Sequence, residues 1–129
     1  MKKEQIEQLI SYIQTDTDLR SIFSDRVFFY IAPTTQTDLH LIINQISNDE
    51  WQATTESIID IKVVQGNDSI APLTVKEYID MIRDKFNKNG LSLWTYNTYQ
   101  ITVMWDESIT KNVNDRYEGT VRFIFKSVR

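Results

Sequence analysis

Apolar residues recur at helical spacing in the middle of the chain. With positions set at 100 degrees per residue, five apolar side chains between residues 74 and 90 fall within an arc of about 100 degrees. These are Val75, Tyr78, Ile79, Ile82 and Phe86. Thr74 and Glu77 are spaced as a capping box, and Gly90 is placed as a C-terminal stop. The pattern therefore predicts a one-sided helix over residues 74–90.

A second helical pattern occupies the N-terminal part of the chain. Its apolar stripe predicts a helix over residues 3–14. The stripe consists of Ile6, Leu9, Ile10 and Ile13. Asp16 or Thr17 can cap a short second helical turn that places Leu19, Ile22 and Phe23 inward.

Period-two alternation of apolar residues predicts five strands. They cover residues 26–31, 39–46, 58–65, 99–105 and 120–126. Pro33 ends the first strand, because proline removes a donor from the ladder. Residues 47–57 are polar and are predicted as a loop, and residues 106–116 are predicted to join the last two strands as a hairpin.

The order of these elements indicates a single α+β domain over residues 1–129. We expect an antiparallel or mixed sheet of about five strands, with the N-terminal helix and the central helix 74–90 on one face. Several strands are apolar on both sides, whereas two short helices cover only one face. The remaining apolar surface and the strand edges favour an oligomer.

Composition narrows the partners. The chain has 14 Lys and Arg against 18 Asp and Glu, a formal net charge of −4, so it lacks the basic surface that grips nucleic acid. It has no cysteine, which excludes disulfides, thiolate metal sites and cysteine nucleophiles. No apolar run approaches the roughly 18 residues of a membrane span. We expect a soluble intracellular protein with no membrane partner.

Candidate catalytic chemistry is sparse. His40 is the single histidine, and no serine elbow, phosphate loop or zinc motif accompanies it. The sequence predicts no catalytic residue, no metal and no cofactor, and the protein is expected not to be an enzyme. The alternative is a small cone-shaped ligand-binding or enzymatic domain in which Asp60 and His40 transfer a proton.

Two polar loops are candidate interfaces. The first contains a tryptophan among acidic residues, and the second is a long charged hairpin arm; loops of this kind carry function or are simply solvated. The candidate interface residues are Asp49, Glu50, Trp51, Asp106, Glu107, Lys111, Asp115 and Arg116.

The arrangement as a whole resembles the tail terminator, or tail completion, proteins of long-tailed bacteriophages. The resemblance covers nearly the full chain and contains no catalytic signature. It rests on the helix at residues 6–13, the segment 25–33 with its proline, the strand at 39–46, the Gly66 turn into the central helix, and the closing segment 121–125.

The resemblance implies a non-enzymatic structural protein of the virion. Such proteins form a ring, typically a hexamer, that caps the tail tube, stops its polymerisation and presents the head-docking surface. The implied partners are further copies of the chain, the tail tube protein and a head-completion or neck protein, with DNA only as cargo in the lumen. The implied location is the head-proximal end of the tail, assembled in the host cytoplasm. A neck or head-closure connector is the alternative within the same class.

The acidic composition suits such a ring. Six copies at −4 each carry a formal charge of −24. An acidic lumen would repel DNA phosphates and let the genome slide without sticking.

Overall fold

A computed structural model describes residues 3–33, 36, 38–50, 54–66, 70–86, 99–105, 109–111 and 116–128. The helices are α1 (Lys3–Thr15), α2 (Thr17–Phe23) and α3 (Ala71–Phe86). The strands are β1 (Val27–Phe29), β2 (His40–Glu50), β3 (Thr54–Gln65), β4 (Tyr99–Trp105), β5 (Ile109–Lys111) and β6 (Tyr117–Val128). The predicted α+β class is confirmed.

The strands form one mixed sheet. Its order is β1-β2-β3-β6-β4, with β5 paired to β6 beside β4. Only β1 and β2 are parallel among the described pairs, and the other pairings are antiparallel. The pairing of the last long strand with the strand at residues 99–105 is as predicted, whereas the short strand β5 lies in the segment predicted as a loop.

The hydrophobic core lies between one face of the sheet and the helices. Alternate residues of β2, β3 and β6 point to this face because strand side chains alternate. The fully buried strand residues are Leu41, Ile43, Ile59, Ile61, Val63, Val121, Phe123 and Phe125. The predicted stripes meet them from the helices: Ile6, Leu9 and Ile13 of α1, and Val75, Ile79, Ile82 and Phe86 of α3, are all buried.

Gly119 brings β6 and α3 close together. A Cβ atom at this position would lie 1.9 Å from Cδ1 of Ile79 and 2.6 Å from Cγ1 of Val75. Both distances are too short for real contacts, so the close approach of strand and helix requires the absence of a side chain.

The helices are tied to each other by polar contacts at the edge of the core. Asp16 is the N-cap of α2 and accepts a hydrogen bond from the Leu19 amide, as one of the two predicted caps. Lys85 of α3 contacts the Asp16 and Asp18 carboxylates at 3.2 and 2.8 Å. The hydrogen bond to Asp18 is the main reason that the pKa of Lys85 is raised.

The predicted start of the central helix is wrong. Helix α3 begins at Ala71, so Thr74 lies inside it and its hydroxyl donates to the Ile70 carbonyl at 3.2 Å rather than capping a helix end. Pro72 is accommodated in the first turn, where backbone N–H groups have no helical acceptor. The predicted stop at Gly90 lies outside the described residues.

The predicted bounds of the first strands also differ. β1 ends at Phe29 because Tyr30 has a φ of 66°, which leaves the extended region. β2 extends to Glu50 and β3 begins at Thr54, so residues 47–50 and 54–57 of the predicted loop lie in strands. These polar residues are extended because β2 pairs with β3 and β3 pairs with β6, not because of local preference.

Candidate functional site

The face of the sheet that points away from the helices carries paired charges. Asp60 of β3 and Arg122 of β6 are register partners. Arg122 donates from Nε and Nη2 to the two Asp60 carboxylate oxygens at 2.7 and 3.0 Å. Asp60 is buried, and this bidentate geometry satisfies its charge. The hydrogen bond to Asp60 raises the pKa of the Arg122 guanidinium.

A second charged pair follows along the same strands. Lys62 and Glu118 lie 3.6 Å apart, and both side chains are about one quarter exposed. Lys62 is opposite Thr120 in the register, so its contact with Glu118 is diagonal. Both ion pairs join β3 to β6 and favour the observed register of these two strands.

His40 lies at the start of β2 and is buried. Its Nδ1–H donates to the Asp38 carbonyl at 2.8 Å, and its ring packs edge-on against Phe28 at 5.8 Å between centroids. Burial lowers the pKa of His40, and the positive charges of Arg116 and Arg26 lower it further. The imidazole is therefore held neutral as a packed residue.

The alternative with His40 and Asp60 as a proton-transfer pair is not supported by their placement. His40 is paired with Val64, and Asp60 is paired with Asn44. Four strand residues separate the two positions, a distance of about 13 Å. Because Arg122 also occupies both Asp60 oxygens, this carboxylate is not placed to exchange a proton with the imidazole.

Two arginines brace the chain before β2. Arg26 donates from Nε to the Leu39 carbonyl and from Nη2 to the Ile22 carbonyl, both at 2.7 Å. Arg116, which precedes β6, donates to the Gln36 carbonyl at 2.6 Å. Arg116 was predicted as an interface residue, and in the structure it holds this neighbouring segment of its own chain.

The other predicted interface residues are divided between the two ends of the sheet. Asp49 and Glu50 are exposed at the end of β2, and Lys111 is exposed on β5 with its ammonium 5.9 Å from the centre of the Tyr117 ring. Through the register, Glu50 is level with Ser127 of β6, whereas Lys111 pairs with Tyr117. These two β6 positions are ten residue steps apart, a distance of about 33 Å along the strand.

Asp49 and Glu50 therefore lie far from Lys111 on the described sheet. Four of the predicted interface residues lie outside the described residues: Trp51, Asp106, Glu107 and Asp115.

A group of exposed apolar side chains lies at the end of β1. It consists of Phe29, Tyr30, Ile31 and Ile46, which are between 38% and 77% exposed. The Phe29 and Tyr30 rings are 4.3 Å apart, and the Tyr30 hydroxyl donates to the Gln45 carbonyl beside Ile46. The alternation of residues 26–31 predicted a strand that is covered on both faces or lies at an interface, and in the structure Phe29, Tyr30 and Ile31 are exposed.

Exposed aliphatic and aromatic residues grouped in this way indicate a contact surface for another protein.

Among the described residues, no three His, Cys, Asp or Glu side chains are grouped so that they could hold a metal ion. No helix in the described part of the chain has the length and apolar character needed to cross a bilayer.

Comparison with solved structures places this fold among known ones. A chain from the virion of a native gene transfer agent (GTA) particle superimposes with a TM-score of 0.67 at 12% sequence identity, and the match covers 92% of this chain and 90% of that chain. A second solved structure matches with a TM-score of 0.58 at 10% identity, over 100% of this chain and 97% of that chain. No protein-family model and no curated protein matches the sequence. At these identities the likeness establishes a shared fold.

Proposed function

We propose that this protein is a structural component of a phage-like virion, and that its role is that of a tail terminator. The observation that carries the proposal is the shared fold with a chain of a gene transfer agent virion, over at least nine tenths of both chains. The resemblance of the sequence to tail terminators reaches the same class of particle from independent features.

The surface chemistry supports a role in protein–protein contact. The buried Asp60 carboxylate is neutralised by Arg122 within the chain, which is typical of an ion pair that fixes strand register. The exposed apolar patch around Tyr30 and Ile31 instead offers area that association would bury.

The proposed assembly is a ring, with six copies as the expected number. It would cap the tail tube and present a surface to a head-completion or neck protein. With a formal charge of −4 per copy, the ring would carry DNA through its lumen without binding it. Reversing the charges at Asp106 and Glu107 is expected to weaken assembly without unfolding the subunit, if the arm at residues 106–116 contacts a neighbour.

A neck or head-closure connector is the second candidate. The same fold match supports this role equally, because the matched chain is described only as part of a virion and not by its position in the particle.

The test is the mass and shape of the particle in solution. Size-exclusion chromatography with light scattering, over a range of concentrations and with added tail tubes from the same genome, should detect a ring. Negative-stain electron microscopy should place it at one end of the tubes. A chain that stays a single copy and leaves the tubes undecorated would contradict the terminator role, and binding to a head-completion protein alone would favour the connector.

A further inference from the structure

The described sheet has two margins that match in length, one formed by part of β2 and the other by β4. β1 pairs with β2 only at residues Leu41, Ile42 and Ile43, while β2 continues to Glu50. Residues 44–50, called here the outer segment of β2, therefore form the margin of the described sheet on that side. On the other side the margin is β4, which is 7 residues long. The outer segment of β2 has the same length.

The two margins also lie at the same height, which here means at matching register positions along the strand direction. Glu50 is connected through the register of β3 and β6 to Tyr99 at the start of β4. Asn44 is connected in the same way to Trp105 at the end of β4. A second copy placed beside the first without a shift along the strands would therefore bring its β4 alongside residues 46–50 of the outer segment, because the Gln45 carbonyl already accepts from the Tyr30 hydroxyl.

Strand direction fits the same placement. β3 is antiparallel to β2, β6 is antiparallel to β3, and β4 is antiparallel to β6. β4 therefore runs opposite to β2. Copies that stand side by side in the same orientation would join these strands as an antiparallel pair, which is the pairing with the straighter hydrogen bonds.

The composition of β4 is unusual for a strand at the margin of a sheet. Its sequence, Tyr-Gln-Ile-Thr-Val-Met-Trp, contains no charged residue, no proline and no glycine. Proteins protect solvent-exposed edge strands with such residues, because a bare edge pairs with other chains. An uncharged strand of β-branched and aromatic residues is suited to an edge that another strand covers.

The outer segment of β2 contains polar side-chain atoms that are not hydrogen-bonded. Among the described residues, the buried side-chain atoms that lack a hydrogen-bond partner are Oδ1 of Asn44 and Oγ of Ser47, and both belong to this segment. Native structures leave few buried polar atoms without a hydrogen bond, so hydrogen bonding is incomplete in this segment. Ile46, between them, is 49% exposed. β4 contains no acidic residue that would repel Asp49 and Glu50 if the two margins were paired.

We propose that the outer segment of β2 in one copy pairs with β4 of a second copy, so that the sheets of neighbouring copies join edge to edge. The contact uses two different surfaces of the chain and is therefore heterologous, which yields a closed ring or an open filament rather than a two-fold dimer. The inference deepens the proposed ring and names its contact, and it can fail while the ring itself survives.

Cysteine cross-linking tests the contact directly, because the native chain has no cysteine. Asp49 and Gln100 lie at the same height through Glu56 and Lys126, so they would be directly opposite across the proposed contact. Cβ atoms in such pairs are about 4.5–5.5 Å apart, close to the separation that a disulfide requires. The variants are Asp49→Cys and Gln100→Cys, with Thr102→Cys to detect a shift of two residues.

Each single variant is expected to stay without a disulfide, while an equimolar mixture of Asp49→Cys and Gln100→Cys should form disulfide dimers under mild oxidation. The chain that carries both substitutions should give a ladder of linked copies on a non-reducing gel. The yield should exceed that of a control mixture by roughly tenfold or more, since pairing raises the effective concentration of the two thiols. The control pairs Gln100→Cys with Glu77→Cys, an exposed position on the helix α3.

A second measurement uses two exposed isoleucines. Ile46→Lys places a charge at the proposed contact and should lower the multimer fraction, whereas Ile70→Lys, at a position that is 61% exposed beside α3, should leave it unchanged.

Three results would overturn the inference. Disulfide dimers from Asp49→Cys alone would indicate that the β2 margin pairs with itself. Multimers that form without any link from residue 49 to 100 or 102 would show that the ring uses other surfaces, and would leave the proposed function intact. A single copy at every concentration, with and without tubes, and no disulfide would remove the edge contact and the proposed ring together.

Discussion

The two faces of the sheet are built from the same strands but differ in how they are stabilised. On the face toward the helices, residues of β3 and β6 such as Ile61, Val121 and Phe123 have no exposed surface. On the other face, their neighbours Asp60 and Arg122 form a bidentate ion pair. The first face gains free energy from burial, at about 25 cal/mol per Å² of apolar surface. The second face also buries residues such as Val64 and His40, and its Asp60 carboxylate is satisfied by hydrogen bonds.

The difference teaches how stability and strand register are divided in this fold. Apolar contacts are non-directional, so the helix-facing side stabilises any pairing that keeps it dry. If β6 shifted by two residues along β3, the same apolar side would still face the helices. Asp60 and Arg122 would then be separated, because their bidentate pair requires one register. The charged face therefore selects the register that the apolar face stabilises.

The largest expected effect is on the helix-facing side. Phe86 of α3 is fully buried and its ring contacts Tyr12, Phe123 and Phe125. Phe86→Ala should lower the free energy of unfolding by about 3–5 kcal/mol, because it removes apolar contacts and leaves a cavity. Urea denaturation measures the change. A loss below about 1 kcal/mol would contradict the placement of this ring in the core.

The next effect is expected on the charged face. Arg122→Ala leaves the buried Asp60 carboxylate without its partner and should cost about 2–4 kcal/mol, somewhat less than a fully buried pair because Arg122 is partly exposed. Replacing both residues, with Asp60→Leu and Arg122→Met, should recover much of the loss. Additive losses in this double-mutant cycle would show that the two side chains do not interact.

A smaller effect tests the approach of β6 to α3. Gly119→Ala places a Cβ atom against Ile79 and Val75, and overpacking of this kind should cost about 1–3 kcal/mol. The thermal midpoint should fall accordingly. Lys126→Ala is the matched control on the same strand, since Lys126 is exposed; an equal change in both variants would remove the argument from close packing.

The smallest effect concerns pH. Burial lowers the pKa of His40 below its ordinary value of 6.5, so the unfolded chain takes up a proton first as the pH falls. The stability is fully present above that value and is lost below it, at no more than about 1.4 kcal/mol per pH unit for one group. His40→Gln should remove this part of the slope between pH 7 and pH 5 in urea titrations. An unchanged slope would contradict a buried neutral imidazole.

Much of the fold follows from local patterns in the sequence. The stripes of α1 and α3 and the alternation of β2, β3 and β6 indicate which side of each element is buried, because a helix has a period of 3.6 and a strand a period of 2. The bounds followed less well. Pro72 is compatible with a first helical turn as well as with a loop. The polar residues 47–50 and 54–57 are extended because β2 pairs with β3 and β3 pairs with β6.

The candidate site depended more on tertiary structure. Nothing local pairs Asp60 with Arg122, which are 62 positions apart, or assigns Arg116 to the carbonyl of Gln36, which is 80 positions away. The alternation of residues 26–31 left open a covered strand or an interface, and only the structure shows that the left-handed backbone at Tyr30 ends β1 early and leaves this patch exposed.

The sequence by itself determined the α+β class, the main helices and strands, and the side of each that enters the core, since periodic burial is written residue by residue. Only the tertiary structure decided which charges meet, where β1 stops, and that the outer segment of β2 and β4 have equal length, equal height and opposite direction. Those properties arise from pairing between distant segments, and a linear pattern does not encode distances between residues far apart in the chain.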